Sequence, residues 1–217
     1  MIETATGIIL RTRLLTETSL IVHWLTADSG RLATVAKGAR RPKSPFLGKL
    51  DLFYEADFSF NRSRRSDLHV LRETSLCKTH ATLRADLLKL RQATYAATFI
   101  EQVTETETPL PGIYELMNRF LNCLDRGRAA PQMIFAFELK LLGAIGLQPN
   151  WGKTGLVVGT QKIAAALAQS DWAARLRLKL TRAQTDELRQ FLHGFLIFHL
   201  GRLPKSRAGA LSVETVR

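Results

Sequence analysis

Apolar alternation through the first eighty positions, helical spacing from Ala81 onward and a basic loop at Arg31–Lys49 predict an α+β multidomain chain. Residues 1–80 are expected to form a five-stranded β-barrel, and residues 81–217 an α-helical bundle. Charge narrows the class of partner. The 217 residues hold 31 Lys and Arg against 19 Asp and Glu, a net charge of +12. Such a balance predicts attraction to nucleic acid, an anionic membrane or an acidic protein segment. The surplus is spread over both parts: 13 basic and 8 acidic residues in 1–80 (net +5), and 18 and 11 in 81–217 (net +7).

The strands follow in order. Gly7–Arg13 is a short β-branched strand, and Leu20–Thr26 is apolar enough for burial on both faces. Asp28-Ser29-Gly30 supplies hairpin turn residues leading into Arg31–Lys37. Across Asp51–Asn61, Leu52, Tyr54, Ala56, Phe58 and Phe60 share one face. The turn Arg62–Ser66 then leads to Leu68–Ser75, which alternates again. Five strands in about 70 residues fit a closed Greek-key barrel of the OB type, because closure removes exposed edges.

Between the third and fourth strands the chain breaks at Gly38 and becomes a loop held by Pro42 and Pro45. Arg31, Lys37, Arg40, Arg41, Lys43 and Lys49 are its cations, and it has no acid. Like charges crowded together repel, so this segment predicts a polyanion as partner. Arg13, Arg62, Arg64 and Arg65 are expected to extend the path. OB-type barrels also stack bases on aromatic rings. Phe46, at the loop's end, is the best placed; Tyr54, Phe58 and Phe60 share a face that would fill the barrel.

In the second part, Leu83, Leu87, Leu90, Ala93, Ala97 and Ile100 recur at helical spacing until the breaker Thr108–Gly112. Tyr114–Leu124 marks a second helix, and Pro131–Gly146 a third with proline in a favourable first turn. Residues 147–160 read as irregular, Lys162–Gln169 as a short helix, and Thr181–Gln184 as a capping box before a helix carrying Leu188, Phe191, Leu192, Phe195, Leu196 and His199. Residues 202–217 read as a basic tail. Helical spacing points to a groove that takes an acidic, hydrophobic-ended peptide, with Arg119, Phe120, Lys140 and Leu142 as candidate lining.

Other chemistries are poorly represented. Cys77-Lys-Thr-His80 has the spacing of half a zinc site, but no second pair follows. There is no GxxxxGK phosphate loop, no nucleophile elbow and no helical pair of histidines, and the acids are scattered. The sequence therefore predicts a protein that is not an enzyme and uses no cofactor. Two distant cysteines, no signal peptide and no apolar run of ~18 residues predict a cytoplasmic protein, which DNA binding would make nucleoid-associated.

Several stretches resemble the RecO family of bacterial recombination mediators. They are Gly7-Ile-Ile-Leu-Arg-Thr-Arg13, Glu17-Thr-Ser-Leu20, Thr26-Ala-Asp-Ser-Gly30 and Val35-Ala-Lys-Gly-Ala-Arg-Arg41 with Lys43-Ser44. Further along come Phe137-Glu-Leu-Lys-Leu-Leu-Gly-Ala-Ile-Gly146 and His199-Leu-Gly-Arg-Leu-Pro-Lys-Ser-Arg207. The resemblance implies an OB-fold domain followed by a helical domain that bind single- and double-stranded DNA and anneal complementary strands without ATP. It also implies action with RecR in loading RecA onto DNA coated by single-stranded-DNA-binding protein (SSB), whose acidic carboxyl-terminal tail docks on the helical domain. Many members carry a four-cysteine zinc module after the stretch matching Leu141–Gly146. Here no cysteine follows Leu147, so the zinc module is expected to be degenerate or absent, with Trp151 and its loop taking over its packing role. The alternative expectation is a protein–protein adaptor that docks on acidic SSB tails with little direct binding of DNA.

Overall fold

The computed structural model describes residues 1–169, 171–172 and 178–212. It forms two compact units: one comprises Met1–Ala81 with Thr104–Asn118, the other Thr82–Val103 with Arg119–Arg217. The segment Thr104–Asn118 thus clusters with the barrel, beyond the sequence boundary at residue 80.

The first unit is a closed barrel of strands β1 (Ile2–Leu14), β2 (Leu20–Thr26), β3 (Gly30–Ala36), β4 (Glu55–Asn61) and β5 (Leu68–Lys78), in the order β1-β2-β3-β5-β4. All neighbours are antiparallel except β3 and β5, which run parallel over Ala33–Val35. β1 is longer than its apolar pattern suggested, because Ile2–Ile8 pairs with β4 while Gly7–Leu14 pairs with β2. β4 starts later than expected. Asp51–Phe53 instead form a turn, with Phe53 at φ 63°, its N–H donating to the Ile9 carbonyl at 2.8 Å.

Inside the barrel, Ile9, Val22, Trp24, Leu32, Phe58, Phe60 and Leu71 interdigitate. The Trp24 and Phe58 rings stack at 4.0 Å, and the indole N–H is satisfied by Thr34 Oγ1 at 2.9 Å. The β2–β3 turn closes as expected on Gly30, at φ +64°. A Cβ there would stand 1.9 Å from the Thr108 carbonyl oxygen, so Gly30 also admits the Thr104–Asn118 segment.

The second unit is built around α3 (Pro131–Ala144). Every side chain from Met133 to Leu139 on this helix is buried, so it is apolar all round apart from Glu138. Around it lie α1 (Leu87–Val103), the Arg119–Arg126 part of α2 (Pro111–Arg126), α4 (Val158–Gln169), α5 (Arg182–Leu200) and α6 (Arg207–Ala210). The expected capping box starts α5: Thr181 Oγ1 accepts from Gln184 N at 3.2 Å, and Gln184 Oε1 from Thr181 N at 3.0 Å.

Two expectations here are corrected. The irregular span ends sooner, because α4 begins at Val158, and Trp151–Lys153 makes a short 3-10 turn. The basic tail is no loose tail over its first part. Arg207 is buried and pairs with Glu138 (2.6 and 2.9 Å), while Tyr95 Oη donates to the same carboxylate at 2.5 Å. Burial, and then the Glu138 charge, push the Tyr95 phenol well above its ordinary range. Residues 213–217 of the expected tail lie outside the described residues.

Candidate nucleic-acid interface

The loop between β3 and β4 is a ladder of turns. Arg41 N donates to Gly38 O (3.0 Å), Ser44 N to Arg41 O (3.0 Å), Leu47 N to Ser44 O (3.2 Å) and Lys49 N to Phe46 O (3.0 Å). Gly38, at φ +66°, makes the first reversal, where a side chain would be strained. The ladder is tied down by Arg40 N to Thr18 O (3.0 Å) and by Ala39 and Phe46, which enter the barrel core. Lys37, Arg40, Arg41 and Lys43 are left exposed on this fixed frame. Arg40 also donates to the Glu17 carbonyl at 3.1 Å. The backbone that carries these four cations is fixed, so an anionic partner would meet them with little loop-ordering cost.

The remaining sequence-predicted cations divide. Arg64 and Arg65 lie exposed on the β4–β5 turn, and Arg13 is exposed near the end of β1. Arg31, Arg62 and Lys49 are turned to the fold. Arg31 Nε donates to Thr104 Oγ1 at 2.7 Å and its Nη2 to the Thr104 carbonyl, while the Arg31 carbonyl accepts from Glu107 N at 2.7 Å. Arg62 bridges Glu3 and Glu107, both at 2.7 Å, and its hydrogen bond holds the Glu3 carboxyl below its ordinary value. His69 completes this cluster: its Nδ1 accepts from Ser63 N (3.2 Å), and its buried Nε2 stands 2.8 Å from Glu107 Oε1. Lys49 is half-buried, with Nζ on the Thr74 carbonyl at 3.3 Å. Arg31 and Arg62 therefore clamp the Thr104–Asn118 segment, a role within the fold that the sequence reading did not give them.

The aromatic expectation is corrected as well. Phe46, Phe53, Phe58 and Phe60 are all buried, so none is a stacking platform. Phe46 plugs the barrel because the turn ladder directs it inward.

His23, on β2, faces three cations. Partial burial, then Arg11, Arg13 and Arg31, lower its pKa from 6.5 to about 4. A histidine depressed on folding takes up its proton more readily in the unfolded chain. Stability is therefore unaffected above pH 6.5 and falls as pH drops toward 4. His23→Gln is expected to remove this part of the acid slope, measured as urea midpoints from pH 7 to 4. An unchanged slope would show that other groups carry it.

In the helical unit, Phe120 and Leu142 are fully buried and do not line a peptide groove. Phe120 packs on Phe137 and Trp172, at ring centroids of 4.8 and 5.4 Å. Lys140 is half-buried and donates to the Ala168 carbonyl at 2.9 Å, whereas Arg119 is exposed. A groove of 690 Å³ lies elsewhere, between α5 and residues 203–211, where Ile197, Leu203 and Leu211 give apolar surface and Arg189, His193 and Lys205 surround it. No sequence signal marked it, because its two walls are separate segments joined only by folding.

Where the zinc module was expected to be missing, backbone and side-chain hydrogen bonds organise the loop. The Trp151 carbonyl accepts from Thr154 Oγ1 (3.1 Å) and from Gln161 Nε2, while Glu187 accepts from Val157 N (2.7 Å) and the Thr160 hydroxyl. Those bonds hold the Glu187 carboxyl below its ordinary value. His80, of the half zinc site, is buried with Nδ1 2.7 Å from the Phe53 carbonyl. Among the described residues no three His, Cys, Asp or Glu side chains gather in a way that would hold a metal, and no helix is long and apolar enough to cross a membrane.

Known proteins are similar to this chain in sequence. The family model for the recombination protein O N terminal region matches residues 1–80, and that for its C terminal region matches 84–156. The DNA repair protein RecO of Anaeromyxobacter sp. (strain K) is 30% identical, the alignment covering 91% of each chain. That of Desulfatibacillum aliphaticivorans is 28% identical over 94% of each. A Listeria monocytogenes RecO is 28% identical over 71% of this chain and 60% of its own. The chain belongs to the RecO family of DNA repair and recombination proteins.

Proposed function

We propose that this protein binds single- and double-stranded DNA through Lys37, Arg40, Arg41 and Lys43, and anneals complementary strands without ATP and without catalysing a reaction. It then works with RecR and SSB at the nucleoid to load RecA. The observation that carries this reading is the set of four exposed cations on a fixed turn ladder, with no acid between Arg31 and Lys49. Lowering the charge on two strands held at one basic surface reduces their mutual repulsion, a sufficient physical basis for annealing. The groove between α5 and residues 203–211 supports docking of an SSB tail, since it combines apolar surface with cations for an acidic, hydrophobic-ended peptide. The same groove favours the adaptor alternative.

One experiment separates the two: annealing of complementary oligonucleotides coated with SSB, without ATP or metal, across a salt series. Acceleration that fades with salt and is lost when the SSB tail is removed is the expected result. No acceleration, with SSB binding intact, would leave the adaptor.

A further inference from the structure

We propose that the outward face of α5 is a base-stacking platform for unpaired nucleic acid, centred on Phe198 and given clearance by Gly194. This rests on the DNA-binding reading above and adds a second contact in the helical unit.

The helix divides into two faces. Leu188, Leu192 and Leu196 are fully buried, as their spacing predicts. Phe191, Phe195 and His199, expected from the sequence to accompany them, instead lie half-buried or exposed beside Phe198, which is 85% exposed. The rings form a row: Phe191 to Phe195 at 5.7 Å, Phe195 to His199 at 4.3 Å, and Phe198 edge-on to His199 at 5.0 Å. Among the described residues Phe198 is the one phenylalanine, tyrosine or tryptophan that lies exposed. The barrel, with its own phenylalanines buried, offers no such ring.

The row lines a groove of 670 Å³ whose other wall is Thr154, Gly155 and Leu156. Gly194 lies within it. Glycine inside a helix is unfavourable compared with alanine, and nothing stands within 4 Å of where its Cβ would be. Packing within the chain therefore does not call for glycine here; an occupant lying flat on the helix does.

Charge selects the occupant. By sequence the helical unit has 18 basic and 8 acidic residues (net +10), against 13 and 11 (net +2) for the barrel unit. Exposed Lys153 and Arg202 adjoin the groove walls in sequence. The one acid lining the groove, Glu187, has its oxygens engaged by Val157 N and the Thr160 hydroxyl. A second copy of this chain would bring another unit of net +10 to the same face. Aromatic rings on a unit of net positive charge are the chemistry of single-strand binding, in which any base stacks and phosphates follow the positive charge.

The test uses the full chain and fluorescence anisotropy with three ligands: an oligothymidine strand, an abasic strand of equal length and charge, and a duplex. The intact protein should bind oligothymidine about tenfold tighter than the abasic strand. Phe198→Ala should abolish that preference while abasic and duplex affinities and the salt slope stay unchanged, and Phe198→Trp should keep it. Gly194→Ala should raise the urea midpoint yet reduce the preference, a combination that a purely structural glycine would not give. A base preference surviving in Phe198→Ala would overturn the proposal, as would parallel loss on all three ligands or a change in sedimentation instead, which would mark a contact between copies. If Arg40→Glu/Arg41→Glu weakens all three ligands and Phe198→Ala none, only this proposal fails. If the intact protein binds none, the DNA-binding reading fails with it.

Discussion

Replacing Arg207 with methionine is expected to destabilise the helical unit by about 3–5 kcal/mol, because it strands the Glu138 carboxylate in the core. Glu138 has no exposed surface, and its partners are the Arg207 guanidinium at 2.6 and 2.9 Å and the Tyr95 hydroxyl at 2.5 Å. With the guanidinium gone, the buried carboxylate keeps no opposite charge to offset its desolvation. Replacing both partners with apolar residues of similar size should recover most of the loss, leaving about 1–3 kcal/mol for the orphaned Tyr95 hydroxyl. Adding Tyr95→Phe should remove that remainder. Urea midpoints at constant slope would measure each step. A single substitution costing under about 1 kcal/mol would mean the pair is solvated and does not staple α1, α3 and α6 together.

Much of this architecture was legible in local pattern. The alternation of Ala56, Phe58 and Phe60, the Asp28–Gly30 turn and the Thr181 capping box each involve neighbours in sequence, so a few residues sufficed to place them. Less legible were the residues whose partners lie far along the chain. Arg31 meets Thr104 across 73 positions and Arg62 meets Glu107 across 45, so in sequence neither differs from the exposed Arg40. Phe120 and Leu142 failed for another reason: helical spacing says that residues share a face, not whether that face turns to core or water. Glu138 carried an unused signal. A lone acid inside the otherwise apolar run Met133–Leu139 requires a buried counter-charge, and the Lys205-Ser-Arg207 element, already marked by its resemblance, held the candidate.

The distinction between clamp and contact leads to the largest expected effect on function. Reversing Arg40 and Arg41 to glutamate should weaken DNA binding about a hundredfold near 50 mM salt and lower the salt slope by about 1.4 on single strands or 1.8 on duplex. The affinity loss follows from the slope, because two lost phosphate contacts forfeit counterion release that is worth most in dilute salt. Curves for variant and parent should therefore converge near 1 M. Stability should change little, since Arg41 lies exposed and the Arg40 side chain gives up one surface hydrogen bond, to the Glu17 carbonyl. Arg31→Ala and Arg62→Ala provide the contrast. Both remove positive charge from the same unit, but their side chains hold Thr104 and Glu107, so they should lower the urea midpoint and leave the slope nearly intact. Were all three variants to shift the slope alike, net charge rather than the turn ladder would govern binding. If Arg40→Glu/Arg41→Glu left both slope and affinity unchanged, phosphate binding would move to the helical unit, where most of the net charge resides.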